Sequence, residues 1–337
     1  MLKQLRASLA PALKSALLHG GGYAAVRTLA PSRQIAILRY HAICGAEGYH
    51  YADPYICITP ANFEAHVRYL AAKYNVMRLE EAVDRMRAGA PLPRNAVSIT
   101  FDDGYADNLE AARTLNRYGV SATFFITADC LSGGQPFWPS EIRTLIPAVR
   151  DQVLHLSASG TDVQFPLATE AERRSAVRQI TKLFKSNTIP VRESLREQLR
   201  KAAGHPALSE CMLRWDQLAE MHRLGMTIGA HTLTHPNLPS AGLAAAREEI
   251  AGSKQRLERE LAIEVTQFSY PNGGAERYIT PELQQIVADS GYTGASSSRN
   301  AFAGSTSDVF ALERVEVEER LEDLVFALEV ERFAFKP

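Results

Sequence analysis

Two adjacent carboxylates, Asp102 and Asp103, follow a run of strand-forming residues and precede a glycine. The run at 96–101 is apolar and predicts a buried strand, and Gly104 permits a tight turn after it. Neighbouring residues on an extended segment point in opposite directions, so the two acids need not share one role. One could hold a metal ion while the other faces a substrate water. A solvated acidic turn is the structural alternative.

A second group with metal-ligand spacing is the pair His231 and His235. If this segment is a helical turn, the i, i+4 spacing places both imidazoles on one face. Such a pair is a weak signal alone, because it also arises by chance on helices, but this pair follows a short apolar strand predicted at 227–229. Two imidazoles and one carboxylate would make a three-ligand site with open positions, which a hydrolytic metal requires.

The elements that must position these residues alternate between strand and helix along most of the chain. Candidate functional residues recur at the carboxyl ends of the strands, which predicts an α/β fold, a distorted (β/α) TIM-like barrel. Residues 131–212 break the alternation and predict a mostly helical insertion with a hairpin around Gly160. We therefore predict a catalytic domain at 35–337. Its strands are expected at 35–40, 75–79, 96–101, 122–126, 227–229, 265–270, 292–296 and 312–317.

Residues 1–34 form a basic amphipathic segment in which leucines recur at positions 2, 5, 9, 13 and 17, and the first acidic residue of the chain is Glu47. A basic helix with an apolar stripe is typical of an anionic membrane surface, so residues 1–20 are a candidate peripheral membrane contact. A helix packed on the domain, with its charges in solvent, explains the same stripe. Lys14 interrupts the best apolar centre for a secretory signal. We expect a cytoplasmic protein that is peripheral at the membrane, with a periplasmic location as the alternative.

Composition excludes several classes of protein. The 337 residues are 46% apolar and 22% charged, which excludes disorder as the main state. Lys and Arg number 37 against 38 Asp and Glu, so the chain lacks the basic excess of a nucleic-acid-binding protein. The sparse cysteines predict buried thiols in a reducing compartment rather than a disulfide framework. They are Cys44, Cys57, Cys130 and Cys211.

Together the two groups resemble the polysaccharide deacetylase family, carbohydrate esterase family 4, over about residues 35–320. The first family motif, Thr-Phe-Asp-Asp-Gly, is present at 100–104, and the second, His-Ser/Thr-x-x-His, at 231–235. The resemblance implies a distorted barrel and a metal-dependent N-deacetylase. Carried over by motif position, it implies that Asp102 is the general base and that Asp103 binds the metal with both histidines of the second motif.

The third family motif, roughly Arg-x-Pro-Tyr-Gly, is altered here. Ser269 stands at the position of the arginine that orients the base in the family, and Asn272 stands at the position of the tyrosine. In the family, the backbone N–H at the tyrosine position donates to the oxyanion. Such a donor stabilises the oxyanion by about 3 kcal/mol, and because it belongs to the backbone, any residue type at this position can supply it. We therefore predict substrate or oxyanion contacts from Tyr270, Pro271 and Asn272. Trp138 is a candidate wall of the sugar groove, with core packing as the alternative.

The late family motif, Leu-x-His, supplies a general acid, but no histidine follows His235, and Leu312-Glu313-Arg314 takes its place. His41, at the end of the first predicted strand, is the candidate acid. This arrangement resembles the permuted branch that includes the poly-N-acetylglucosamine deacetylases. An unperturbed histidine titrates near pH 6.5, which suits proton donation to a leaving amine. A structural histidine is the alternative.

The expected function is metal-dependent removal of N-acetyl groups from an amino-sugar glycan or glycolipid, with an Asp base and a metal-activated water. Exopolysaccharide or cell-envelope biosynthesis is the expected context, and a lipid-linked saccharide is a candidate substrate. One divalent ion is expected, Zn²⁺ first, with Co²⁺, Mn²⁺, Ni²⁺ and Fe²⁺ also compatible. Two alternatives remain: a non-catalytic glycan-binding protein on the same fold, and hydrolysis of another sugar-linked acyl group.

Overall fold

The computed structural model describes residues 11–274 and 278–334. In chain order its strands are β1 (Ile35–Tyr40), β2 (Asn75–Val76), β3 (Ala96–Phe101), β4 (Thr123–Ile126), β5 (Val153–Ala158), β6 (Thr161–Pro166), β7 (Thr227–Ala230), β8 (Gln267–Ser269), β9 (Gly294–Asn300) and β10 (Leu312–Glu316). Its helices are α1 (Pro11–His19), α2 (Gly22–Leu29), α3 (Pro60–Lys73), α4 (Leu79–Arg87), α5 (Asn108–Arg117), α6 (Trp138–Ala148), α7 (Glu170–Lys185), α8 (Ile189–Ala202), α9 (Trp215–Arg223), α10 (Leu238–Ala241), α11 (Leu243–Leu261), α12 (Pro281–Asp289) and α13 (Leu321–Glu329).

Seven parallel strands close into a barrel within the described residues. Their order is β1-β10-β9-β8-β7-β4-β3, and β3 pairs back onto β1. The short strand β2 pairs with Ala96 and Val97 at the start of β3, whereas β4 pairs with Thr100 and Phe101 at its end. Helices of the repeated strand–helix units surround the barrel, and the apolar side chains between the two layers form the largest core cluster. The closed parallel barrel confirms the predicted distorted (β/α) fold.

The strand register brings the candidate residues to one rim of the barrel. Tyr40 of β1 is level with Phe101 of β3, so His41 and Asp102 follow at the same height. Ile126 of β4 is level with Ala230 of β7. Parallel strands present their carboxyl ends at the same side, which is where barrel enzymes carry their sites.

Side chains fill the inside of the barrel, so it is a packed core and not a pore. Phe125 lies against β7, where a Cβ on Gly229 would meet the Phe125 ring at 2.6 Å. Glycine at 229 therefore permits the close approach of β7 to this ring. Arg314 of β10 is fully buried, with its guanidinium 5.7 Å from the centre of the same ring.

The segment predicted as an insertion builds a second apolar core of its own. Helices α6, α7 and α8 pack with the β5–β6 hairpin around Trp138, Phe165 and Phe184. The hairpin turns at Ser159 and Gly160, both at positive φ, as a two-residue turn requires. Arg192 of α8 anchors this layer to the barrel by donating to the Thr234 carbonyl at 3.1 Å.

Helices α1 and α2 pack on the closing helix α13. The Lys14 ammonium lies 2.7 Å from Asp323 and 4.5 Å from the centre of the Phe326 ring. Arg27 lies 3.2 Å from the fully buried Glu329. The described part of the basic segment is therefore packed on the domain, but the expectation that its charges are solvated is wrong for these two residues. The leucines at 2, 5 and 9 lie outside the described residues.

Two further features bear on the expectations for compartment and membrane contact. Among the described residues, no helix combines the length and apolar character needed to cross a bilayer. All four cysteines are free thiols, three of them buried. Cys44 and Cys57 lie with their sulfurs 3.3 Å apart in the loop between β1 and α3.

Candidate active site

Asp103, His231 and His235 converge at the carboxyl end of the barrel. The Nε2 atoms of His231 and His235 lie 3.5 and 3.4 Å from Asp103 Oδ1. One ligand atom from each residue lies within 4.8 Å of the other two, and all three residues are buried. The structure therefore brings together the three predicted ligands, although Asp103 lies more than 120 positions before the two histidines in the sequence.

A hydrogen bond to the neighbouring strand sets the orientation of the His231 ring. Its Nδ1 lies 2.8 Å from the Ser269 carbonyl oxygen, so Nδ1 carries the proton that is donated to it. Nε2 faces Asp103 and is the ring nitrogen placed to bind a metal ion. An outer hydrogen bond of this kind is what fixes the tautomer of a metal-binding histidine.

The segment between the two histidines is an irregular loop and not a helical turn. Thr232 and His235 have φ values of 67° and 55°, in the left-handed region. Glu249 of α11 holds this conformation, because its Oε2 accepts from the backbone N–H groups of Leu233 and Thr234 at 2.9 and 2.8 Å. The helical-turn interpretation is therefore wrong, although the imidazoles meet as predicted.

The donor set fits a divalent cation. Burial lowers the pKa of His235 to about 3, so its ring is neutral. Burial acts to raise the pKa of Asp103, but its contacts with His231 and His235 outweigh burial and lower that pKa below its ordinary value, so Asp103 is ionised. Two imidazoles and one carboxylate suit Zn²⁺ or a related divalent metal and leave coordination positions open.

Asp102 is held by a buried arginine that the motif analysis did not select. Arg314 donates from two nitrogens to the two Asp102 oxygens, both at 2.7 Å. It also donates to the Ser297 carbonyl at 2.7 Å and to Ser269 Oγ at 3.0 Å. Burial alone would raise the pKa of Asp102, but the Arg314 charge outweighs it and holds that pKa well below its usual range. Asp102 is thus a fixed, ionised carboxylate.

Arg314 takes the place of the arginine that the family motif would have at position 269. Position 269 is a serine and not the arginine of the family motif. The guanidinium that binds Asp102 comes instead from Arg314 of β10, and it also donates to Ser269 Oγ. A sequence signal existed, because Arg314 lies two positions after Leu312 in the predicted strand and therefore on the same, buried face. A fully buried arginine needs a carboxylate partner, and Asp102 is that partner.

His41 lies beside the same carboxylate. Its Nε2 is 3.7 Å from Asp102 Oδ2, and its ring borders the cleft above the rim. Burial lowers the pKa of His41, while the charges of Asp103 and Asp102 act in the opposite direction. Asn108 fixes the backbone here by donating to the His41 carbonyl at 2.8 Å.

The residues predicted from the third motif divide into two groups. Asn272 borders the cleft, with φ of 61° and a buried Nδ2 that has no acceptor among the described residues. Tyr270 and Pro271 are buried away from the cleft lining, and the Tyr270 hydroxyl donates to the Phe310 carbonyl at 2.9 Å. Their side chains pack behind the rim, and their substrate contacts stay a prediction.

Trp138 is not an open sugar-stacking surface. It borders the cleft but is only 1% exposed, because its ring packs in the core of the inserted layer. Its Nε1–H donates to the His235 carbonyl at 3.0 Å. The ring thus packs in a core, as the alternative expects, and supports the loop at 231–235, while a contact with the sugar stays a prediction.

The cleft has a volume of about 310 Å³, and part of its wall comes from residues that no sequence motif marks. They have no motif of their own, since they reach the cleft from the β1–α3 loop and the inserted helices. These wall residues are Tyr51, Asp53, Ile56, Arg143, Thr181 and Lys185.

Known proteins share the sequence pattern and the fold of this chain. The profile of the polysaccharide deacetylase family matches residues 89–165 and 170–295, more than half of the chain. YxkH of Bacillus subtilis (strain 168), a curated protein named after polysaccharide deacetylases, is 22% identical over 308 residues, which cover 91% of this chain and 79% of YxkH.

Two solved structures match over most of their length. The Streptococcus pyogenes deacetylase PplD, in complex with acetate, has a TM-score of 0.59 at 18% identity and covers 91% of this chain and 100% of PplD. IcaB from Ammonifex degensii has a TM-score of 0.57 at 16% identity and covers 89% of this chain and 98% of IcaB. At these identities the two matches show a shared fold.

Proposed function

The chain belongs to the polysaccharide deacetylase family, and from this membership and the geometry of the cleft we propose that it removes N-acetyl groups from an amino-sugar glycan or glycolipid in a metal-dependent hydrolysis. The observation that carries the proposal is the ionised Asp102, clamped by Arg314 beside the Asp103, His231 and His235 cluster. A proton acceptor next to a metal-ligand set is the minimum that amide hydrolysis by water requires.

In the proposed reaction, Asp103, His231 and His235 hold the divalent ion. When bound, this ion supplies Lewis acidity, which polarises the acetyl carbonyl and lowers the pKa of water from 15.7 to about 7. Asp102 accepts the proton of the attacking water. Its low pKa makes it a weak base, but a water acidified to this extent needs only a weak base that is correctly placed.

The remaining steps fall to His41 and to the backbone at Asn272. The backbone N–H of Asn272 donates to the oxyanion that forms when the water oxygen bonds to the acetyl carbon. His41 Nε2, 3.7 Å from Asp102 Oδ2, passes the proton that Asp102 took from the water to the amine nitrogen as the carbon–nitrogen bond breaks, so both residues return to their starting states. A lowered pKa makes the protonated His41 ring a stronger acid toward this leaving group. One water is consumed, and acetate and a free amine are released.

The first test is metal content, measured by elemental analysis on the wild type and on the His231→Ala/His235→Ala variant. We expect about one divalent ion per wild-type chain and none in the variant. Asp102→Asn should keep the ion but lose at least a thousandfold in acetate release from N-acetylglucosamine oligomers. A wild type that takes up no ion from added Zn²⁺ or Co²⁺, or a fully active Asp102→Asn, would overturn the mechanism.

The same assays separate the two alternatives. Saturable glycan binding without turnover, across several N-acetylated substrates and with the metal in place, would favour a non-catalytic glycan-binding protein. Release of formate instead of acetate from matched N-formyl and N-acetyl sugars would assign another acyl group.

We also propose that residues 1–20 bring the protein to an anionic membrane surface at the cytoplasmic face, with the periplasm as the alternative. Lys14 is engaged with Asp323, so the charges left for lipid in this stretch are Lys3 and Arg6. Sedimentation with vesicles should show binding to anionic lipid but not to neutral lipid. Lys3→Gln/Arg6→Gln should weaken it several-fold. Equal sedimentation by both proteins would contradict this contact.

A further inference from the structure

One cation on the wall of the cleft lacks the fixed partner that the others have. Arg143 pairs with Asp53, and Arg39 donates to the Ser298 carbonyl at 3.2 Å with Glu316 4.0 Å away. The Lys185 ammonium borders the cleft but makes no hydrogen bond or ion pair with any residue in the described ranges. The carboxylates whose charges act on it are Asp103 and Asp53.

The inserted layer holds Lys185 in place through its backbone. Lys185 is the last residue of α7, and its carbonyl accepts from Asn237 Nδ2 at 2.8 Å. Asn237 lies two residues beyond His235, so the end of α7 is attached directly to the loop that carries a metal ligand. The preceding residue, Phe184, packs against Trp138 with ring centres 5.9 Å apart. The backbone that carries Lys185 is therefore held at a fixed place relative to the cluster, and its side chain borders the cleft.

Once a divalent ion is bound, no carboxylate among the described residues of the cleft wall remains to balance the charge of Lys185. Asp103 is committed to the metal cluster, and Asp53 is paired with Arg143. The third carboxylate on the wall, Asp102, is neutralised by Arg314. A divalent ion bound at Asp103 would add positive charge beside a half-buried ammonium. Burial of a cation without a counter-charge is unfavourable, so a negative group supplied with the substrate would be stabilised here.

We propose that Lys185 binds an anionic substituent of the substrate, a carboxylate or a phosphate, while the N-acetyl group of that substrate lies at Asp102 and Asp103. This inference rests on the proposed function and names its substrate class: N-acetylated amino sugars that carry a negative charge. Lysine presents a compact point charge with rotatable donors, which accepts either anion without a fixed geometry. The barrel thus supplies the chemistry, and the inserted layer selects the substrate.

Substrate preference is the direct test. Three oligosaccharides are compared: a neutral N-acetylglucosamine oligomer, the same oligomer with a uronate on the neighbouring sugar, and the same oligomer with a phosphomonoester there. In the wild type, kcat/KM should be higher for an anionic substrate than for the neutral one, and the carboxylate and phosphate arms show which anion is preferred. Lys185→Met should reduce this preference at least tenfold, mainly through KM.

The matched control is Lys182→Met, because Lys182 is an exposed residue on the last turn of the same helix. It should keep the wild-type preference. The inference is overturned if Lys185→Met also keeps that preference, or if the wild type prefers the neutral oligomer.

A binding measurement separates failure of this inference from failure of the proposed function. Inorganic phosphate is titrated into the Zn²⁺-loaded protein by calorimetry. Lys185→Met should weaken phosphate binding at least tenfold, whereas Lys182→Met should not. Equal binding by Lys185→Met would place the phosphate on the metal alone and overturn the inference. Lys185-dependent binding together with no hydrolysis of any acylated sugar would retain the anion site and reject the deacetylase proposal.

Discussion

Asp102 and Arg314 meet as a bidentate carboxylate–guanidinium pair inside the barrel, although 212 positions separate them in the chain. The guanidinium group, and not the strand that carries it, is what holds the Asp102 carboxylate. A planar fork that donates to both oxygens fixes the carboxylate plane as well as its charge, which a lysine does not do. An arginine on β10 therefore does for Asp102 what the third family motif would do from β8.

Removing this arginine should affect catalysis and stability together. Arg314→Met leaves a buried carboxylate unpaired, which we expect to cost about 3–5 kcal/mol in the free energy of unfolding. Because the Arg314 charge lowers the pKa of Asp102, its loss raises that pKa. The base must be ionised, so the acidic limb of the kcat/KM profile should move to higher pH. Activity at neutral pH should fall about a hundredfold.

Two further variants test whether the effect on the pH profile is specific to the Arg314 guanidinium. Arg299→Met removes an arginine whose side chain is half exposed on the neighbouring strand, and it should leave the pH profile unchanged. Ser269→Arg/Arg314→Ser returns the guanidinium to the family position, next to the place where Arg314 now contacts Ser269 Oγ. It should recover at least tenfold of the activity lost in Arg314→Ser. No recovery would mean that the β10 backbone is needed to aim the guanidinium.

At the level of single residues, the sequence was informative where chemistry is carried by residue type. Asp102, Asp103, His41 and both motif histidines border the cleft as predicted, although their catalytic roles stay predictions. Trp138 is packed in a core instead, because aromatic type alone does not say which side of a wall a ring faces. Arg314 was not selected because its partner is remote in sequence and no local pattern records the pair.

At the level of elements, the loop at 231–237 shows how a helix can impose a backbone that local sequence does not favour. Positive φ at Thr232 and His235 is uncommon for residues with a Cβ. The i, i+4 spacing suggested a helical turn, but the carboxylate of Glu249, from α11, accepts from two backbone N–H groups of the loop and holds a different conformation. Strands such as β1 and β3 were predictable to the residue, since continuous apolar runs define them.

Glu249→Ala should weaken the metal site without touching a ligand. The loop would lose the acceptor of two backbone N–H groups and of the Thr234 hydroxyl, so the His235 ring would no longer be held in place. Loss of such an outer contact typically lowers metal affinity 10- to 100-fold, which competition with a chelator for Zn²⁺ can measure. Glu248→Ala changes the exposed neighbour on the same helix and is the control. Equal affinities in the two variants would contradict this role.

At the level of the whole molecule, the N-terminal helices join the two ends of the described chain. Arg27 of α2 lies 3.2 Å from Glu329 of α13, and Arg332 lies 3.4 Å from the same carboxylate. Glu329 is fully buried, so this cluster is part of the core and not a surface contact. Composition and periodicity predicted an amphipathic segment here, but which surface it covers depends on α13, about 300 residues later.

Arg27→Met should therefore destabilise the entire domain. Removing one cation from a buried carboxylate should lower the free energy of unfolding by about 3 kcal/mol, measured from the midpoint of urea denaturation. The control is Arg33→Met, because Arg33 is exposed a few residues beyond α2. If both variants unfold at the same urea concentration, the N-terminal helices contribute no stability through this contact. Zn²⁺ content of the folded protein should be unchanged in both.

The place of Arg314 on the last strand also sets the order in which a newly made chain becomes competent. During synthesis the three cluster residues leave the ribosome well before residue 314, so the ion-binding side chains exist before the partner of Asp102 does. β10 must then insert between β1 and β9 before that carboxylate is aimed. Hydrolytic activity would therefore report that the barrel has closed, whereas metal content would not. A time course of synchronised cell-free synthesis that follows both should show metal uptake first and turnover last.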